Sequence, residues 1–201
     1  MTKSVLIHAG AHRTGTSSFQ LCLHENRAVL DRYGYDIAYP GRDGVAGGNL
    51  RLPLPRRRHG EKRIPQYAAR ARSVLMGLSP DAGRGLVLSE ENIPGPMLHF
   101  YHGQFFPASR KRFLSLAGAL EAAPVHVLYV VRSYAEMFVS AYRKRAEDNP
   151  VAPFAEIVPT CATSAESLTS RAADLIASTT VVVSCSKLLN LSVVRTHLCC
   201  L

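Results

Sequence analysis

Short apolar runs alternate along this chain with longer stretches in which apolar positions recur at helical spacing. Residues 3–8, Lys-Ser-Val-Leu-Ile-His, are short, apolar and bounded by Gly10, and predict a strand buried on both faces. From Thr14 to Asp31, Phe19, Leu23 and Leu30 fall near helical spacing, and Gly34 follows as a stop. Residues 35–39 predict a second strand, closed by Pro40-Gly41. A helix is expected over 65–77, a third strand over 85–89, irregular chain over 92–106 and a helix over 108–122. Val125–Val131 carries the strongest strand pattern, and a helix opens directly after Arg132. Ser133 and Glu136 have capping-box spacing, and Thr163 and Glu166 repeat it before a helix over Leu168–Ala177. Thr180–Ser184 predicts the last strand.

Strands that alternate with helices predict an α/β fold: a three-layer parallel sheet with helices on both faces. No internal repeat interrupts the order, so residues 1–201 are expected to form one domain. Two segments stand apart. Residues 41–62, rich in Gly, Pro and Arg, predict a long, basic surface loop, and residues 188–201 an apolar tail. An exposed apolar tail points to a partner surface, such as a homodimer contact.

Composition narrows the classes. The hydrophobic fraction of 47% is ordinary for a globular protein. No apolar run approaches the roughly 18 residues of a membrane span. The apolar run near the N-terminus is too short for a signal-peptide core, so a cytoplasmic location is expected. The cysteines (Cys22, Cys161, Cys185, Cys199 and Cys200) are odd in number and form no CxxC pair, which argues against a disulfide framework or a zinc site. His99 and His102 have no carboxylate at ligand spacing, and no metal is expected. The net charge of +9 predicts an anionic partner. The basic cluster Arg56-Arg57-Arg58-His59 lacks the interleaved aromatics of a single-stranded nucleic-acid platform, so nucleic acid is not the expected one.

The chemistry is expected beyond the carboxyl ends of the strands. After the first strand comes Gly10-Ala11-His12-Arg13-Thr14-Gly15-Thr16-Ser17-Ser18, which opens a helix. Such a turn aims backbone N–H groups and the positive helix end at an anion. Thr14, Thr16, Ser17 and Ser18 add hydroxyl donors, Gly15 permits close approach, and Arg13 adds a cation. The spacing Gly10-x4-Gly15 imitates the P-loop G-x-x-x-x-G-K-[ST], but Thr16 stands at the lysine position. The second motif is an arginine ending a strand, Arg132, with Ser140 eight residues later on the next helix. Arg132 can hold a phosphate as a fork. Ser140 lies about two turns into that helix, roughly 11 Å along its axis, and suits an extended ligand.

Together these two motifs resemble the sulfotransferases that use 3′-phosphoadenosine 5′-phosphosulfate (PAPS). The stretch Arg13-Thr14-Gly15-Thr16-Ser17 is similar to their 5′-phosphosulfate loop, with arginine in place of the usual lysine. Arg132 and Ser140 match their clamp on the 3′-phosphate. The resemblance implies a P-loop-like fold, PAPS as donor, its product 3′-phosphoadenosine 5′-phosphate (PAP), and a hydroxyl or amine acceptor on a small molecule or saccharide. It implies Arg13 and the loop amides stabilising the leaving phosphate. It also implies a base near the acceptor. Leu88-Ser89-Glu90-Glu91-Asn92 is similar to the Ser-x-Glu stretch of many bacterial members, which favours Glu91, with Glu90, His59 and Asp43 as alternatives. His8 and His12 are expected to pack beside or cap the loop. The family usually runs further at the C-terminus, so donor binding is the firmer expectation and turnover the weaker one. The alternatives from other classes are a P-loop-type kinase or nucleotide hydrolase, and a shortened PAPS- or PAP-binding protein without catalysis.

Overall fold

The computed structural model describes residues 4–10, 12–42, 44–102, 104–120, 125–131, 133–158 and 181–185, the last as backbone. Five strands form one parallel sheet: β1 (Val5–His8), β2 (Tyr35–Ala38), β3 (Gly85–Ser89), β4 (Val125–Val131) and β5 (Val181–Cys185). The helices are α1 (Thr16–Glu25), α2 (Arg27–Arg32), α3 (Ile64–Leu78), α4 (Ser109–Leu120) and α5 (Tyr134–Asp148). Short 3-10 helices lie at Glu61–Arg63 and Met97–His102. The strand order is β2-β3-β1-β4-β5.

Strand alternation makes the layers. Val5 and Ile7 of β1 and Leu86 and Leu88 of β3 point to one face, where they meet Ala71 and Leu75 of α3 and Leu116 and Ala119 of α4. Ile37 of β2 and Val87 of β3 point to the other, against Phe19 and Leu23 of α1 and Leu30 of α2. A third cluster joins Phe100, Phe105 and Phe106 to Met137, Phe138 and Ala141 of α5. Sheet and two helical layers match the expected α/β architecture. No described helix is long and apolar enough to cross a membrane.

Three expectations need correction. The single helix expected from Thr14 begins at Thr16 and breaks after Glu25. Asn26 ends it: its Nδ2 donates to the Cys22 carbonyl at 2.9 Å, the local competition for backbone typical of asparagine. Ser133 occupies the N-cap position of α5, but its Oγ donates to the Glu136 carboxylate at 2.9 Å instead of accepting from the helix backbone. The 41–62 segment is irregular but not a surface loop throughout, since Val45, Leu50, Leu54 and Pro55 are buried. Arg132, Asp43, the Thr163–Glu166 spacing, the 168–177 helix and the 188–201 tail lie outside the described residues.

The topology fixes where a ligand would sit. From β1 the chain crosses to β2 and β3 on one side, then to β4 on the other. The crossovers reverse around β1, and its carboxyl end is the switch point where parallel α/β sheets bind ligands.

Candidate functional site

The loop after β1 leaves the sheet at Ala9, whose N–H donates to the Leu128 carbonyl of β4 at 2.9 Å. Two left-handed positions then turn the chain into α1: Arg13 at φ 68° and Gly15 at φ 86°. For Gly15 this conformation is unstrained, whereas for arginine it is sparsely populated. Gly10 is needed for space: a Cβ there would meet Thr14 Oγ1 at 2.7 Å and Thr16 Oγ1 at 3.1 Å. Thr16 is buried, and its Oγ1 has no hydrogen-bond partner among the described residues. The first turn of α1 holds no acidic side chain, and its leading N–H groups have no intrahelical acceptor. Ser17 and Ser18 are exposed on that turn. The result is a cradle of backbone N–H groups, hydroxyls and one cation, the chemistry that suits an oxyanion.

One residue from each sequence motif meets here. Arg13 Nε donates to Ser140 Oγ at 3.0 Å, across 127 positions of sequence. Ser140 stands on α5, whose strand β4 is the neighbour of β1, so adjacency in the sheet brings the serine over the loop. Its partner among the described residues is Arg13.

The loop after β3 forms the other wall. Glu90 and Glu91 follow the last residue of the strand, and the Glu90 N–H continues the ladder to the His8 carbonyl at 3.0 Å. Glu91 Oε1 accepts from Arg42 Nη2 at 3.2 Å and lies 3.6 Å from His12 Nδ1. His12 Nε2 is 3.0 Å from the Gly95 carbonyl, so that nitrogen carries a hydrogen and the ring is bridged between a carbonyl and a carboxylate. Arg42 Nη1 also donates to Ser17 Oγ at 3.0 Å. Glu90 turns inward instead: it is buried, and its Oε1 accepts from the Asn92 backbone at 2.8 Å and from Asn92 Nδ2 at 3.0 Å. His59 stands in the basic turn, with its Nδ1 2.8 Å from the Tyr67 hydroxyl. Among the described residues, no group of three His, Cys, Asp or Glu side chains is placed to hold a metal ion.

Beneath the loop, Gln20 Nε2 donates to Ser89 Oγ at 3.3 Å, which leaves the serine proton for His8 Nδ1 at 2.9 Å. His8 also stacks on Phe19, with ring centroids 4.2 Å apart. It therefore packs under the loop, as the sequence suggests.

Two of these groups tie stability to pH. Burial holds His8 down to about 4, against an opposing pull from the Glu91 charge. Burial pushes Glu91 up, but the His12 contact and the Arg42 charge outweigh it and hold the carboxyl at about 2. Both folded-state values lie below the unfolded ones of 6.5 and 4.5. The unfolded chain therefore binds more protons in each window, and stability falls as pH falls. His8 contributes fully above its unfolded value, and that contribution fades from 6.5 toward about 4. The Glu91 contribution fades from 4.5 toward about 2. Each step amounts to up to about 3 kcal/mol. Urea unfolding across pH is expected to show both steps, with Glu91→Gln flattening the lower one. No loss of stability in the upper window would contradict a buried, neutral His8.

Sequence reasoning missed Arg42 and Arg112. Arg42 follows the carboxyl end of β2, the position that should have marked it. Arg112 is buried on α4 and donates from Nε to Ile93 O at 2.8 Å, from Nη1 to Pro55 O at 2.9 Å and from Nη2 to Asn92 O at 2.6 Å. It thereby holds the loop that carries Glu91 against Pro55 of the 41–62 segment.

Strand order, switch point and glycine-bounded loop define a parallel α/β protein with an anion-cradle layout after β1. No protein-family model and no curated protein matches the chain. Among solved structures it is similar to thymidylate kinase from Ehrlichia chaffeensis, at 13% identity over 75% of this chain and 84% of that one, with a TM-score of 0.38. It is similar also to the tunicamycin resistance protein of Deinococcus radiodurans, at 11% identity over 80% and 79% of the two chains, with a TM-score of 0.35.

Proposed function

We propose that this protein is a sulfotransferase that binds PAPS across the β1–α1 loop and α5 and passes its sulfuryl group to a hydroxyl or amine. The observation that carries the reading is the contact between Arg13 and Ser140, because it joins the two motifs of the resemblance in one cradle. In the reaction the acceptor oxygen or nitrogen attacks sulfur in line. The S–O bond to the 5′-phosphate breaks, and its electron pair leaves on that phosphate as PAP. Arg13, the loop N–H groups and the hydroxyls of Thr14, Thr16, Ser17 and Ser18 stabilise the charge that collects there. Ser140 and Arg132 hold the 3′-phosphate. Glu91 is the base that takes the acceptor proton. Arg42 and His12 suppress its proton affinity, and a donor bound beside Arg42 competes for that cation.

A second reading is a P-loop-type kinase or nucleotide hydrolase. The strand order and the spacing of Gly10, Gly15 and Ser17 favour it. Against it stand Thr16 at the lysine position and the engagement of Ser17 Oγ by Arg42.

The 3′-phosphate separates the two. Arg132→Ala is expected to weaken PAP binding by about tenfold or more, as for a lost charged hydrogen bond. The same change should leave adenosine 5′-phosphate, which lacks the 3′-phosphate, bound as before. Equal losses for both ligands, or none for either, would remove the 3′-phosphate clamp from the account.

A further inference from the structure

Arg42 is built into place. The chain from Gly41 to Gly48 closes on itself through a bridge between Arg42 and Val45. Gly44 and Gly47 take left-handed φ values of 76° and 74°, and a Cβ on Gly48 would strike the Pro40 carbonyl. The Tyr39 hydroxyl donates to the Ala46 carbonyl at 2.9 Å, and the Leu50 N–H returns to Tyr39 O at 3.0 Å. Val45 and Leu50 are buried. This closed, anchored turn sets the guanidinium between Ser17 of the phosphate loop and Glu91 of the opposite wall. Its Nε is buried and has no partner among the described residues. A buried, unpaired donor on a charged group is uncommon enough to need a reason.

We propose that Arg42 is a second donor-binding cation, shared between Glu91 and the 5′-phosphate end of the bound nucleotide. The proposal rests on the reading of the β1–α1 loop as the donor site. It accounts for the loop's working with Thr16 where a P-loop carries lysine: the second positive charge arrives from the turn after β2. The hydroxyl of Ser17 accepts from Arg42 and keeps its own proton for the anion, which links the cation to the cradle. Glu91 is then a competitor for Arg42 as well as its holder. That gives the two partners of one ion pair opposite roles in binding.

The test is calorimetric titration of the full chain with PAP, with pyrophosphate and ATP–magnesium as further probes and thermal melts to check folding. Arg42→Ala is expected to weaken PAP binding by about tenfold or more. Arg42→Lys should recover part of it, since it keeps the charge but not the fork. Glu91→Gln, which removes the competitor, is expected to bind at least as tightly as wild type. A purely structural ion pair would behave otherwise, leaving affinity unmoved in both folded variants. A folded Arg42→Ala with wild-type affinity overturns the proposal, and so does Glu91→Gln weakened as much as Arg42→Ala. Should the wild type bind ATP–magnesium and not PAP, the sulfotransferase reading fails alone, and the Arg42→Ala ratio for ATP decides the role of Arg42. A folded wild type that binds none of the three probes overturns both.

Discussion

Arg13→Ala is expected to weaken PAP binding by about 10- to 100-fold, the largest loss from any single substitution in the loop. A hydrogen bond to a charged group contributes about 1.5–3 kcal/mol, and about 1.4 kcal/mol is tenfold in affinity. Arg13 is exposed, so its removal leaves no buried group stranded and the fold should survive. It is also held at φ 68°, a conformation that costs a side-chain-bearing residue about 1–2 kcal/mol. Arg13→Gly relieves that strain while removing the cation. Its stability is expected to stay within about 1 kcal/mol of wild type or rise, while its affinity falls as far as that of the alanine variant. Backbone strain kept in a loop is the pattern of a functional site. Arg13→Lys should fall between, since lysine keeps the charge but lacks the Nε that reaches Ser140. Denaturant unfolding and titration on the same three variants check this. A large stability loss in Arg13→Gly, with affinity intact, would make Arg13 a structural residue.

Arg112→Ala is expected to cost about 3–4 kcal/mol of folding stability, the largest structural effect among the residues around the site. The guanidinium is buried and donates to three backbone carbonyls, those of Ile93, Pro55 and Asn92. Burial lowers it to about 10, with Glu90 opposing, so it stays charged at neutral pH. Removing it leaves three acceptors without their donor in a space water does not readily fill, which is among the few mechanisms of severe destabilisation. The effect should reach the site as well. The Asn92–Ile93 carbonyls belong to the loop that carries Glu91, and Pro55 lies within the 41–62 segment that also holds Arg42. A loss below about 1 kcal/mol in urea unfolding would show that the loops hold without this staple.

Much of the fold was legible because parallel strands are buried on both faces and read as continuous apolar runs. Val5–His8, Tyr35–Ala38, Gly85–Ser89, Val125–Val131 and Val181–Cys185 lie within two residues of their expected bounds. The break at Asn26 was not legible, because the apolar spacing of Phe19, Leu23 and Leu30 continues across it and only the asparagine side chain interrupts the backbone. Burial of Val45, Leu50 and Leu54 was hidden for a related reason: an irregular backbone has no period to betray which side chains turn inward. At the site, the glycines and hydroxyls of the β1–α1 loop were readable because their spacing is local. The Arg13–Ser140 contact depends on β1 and β4 being neighbours, a fact of topology. Arg112 was invisible for the same reason, since its partners lie up to 57 positions away, whereas Arg42 had a local signal in its place after the carboxyl end of β2.

The central claim is that the β1–α1 loop holds a 3′-phosphorylated adenine nucleotide without a metal. The most direct measurement is calorimetric titration of the wild-type chain with PAP in excess chelator at fixed salt, beside ATP with magnesium. Saturable, chelator-resistant binding of PAP, tighter than that of ATP–magnesium, is the predicted result. A folded protein that ignores PAP and binds ATP only with magnesium would contradict the account and assign the loop to phosphoryl chemistry.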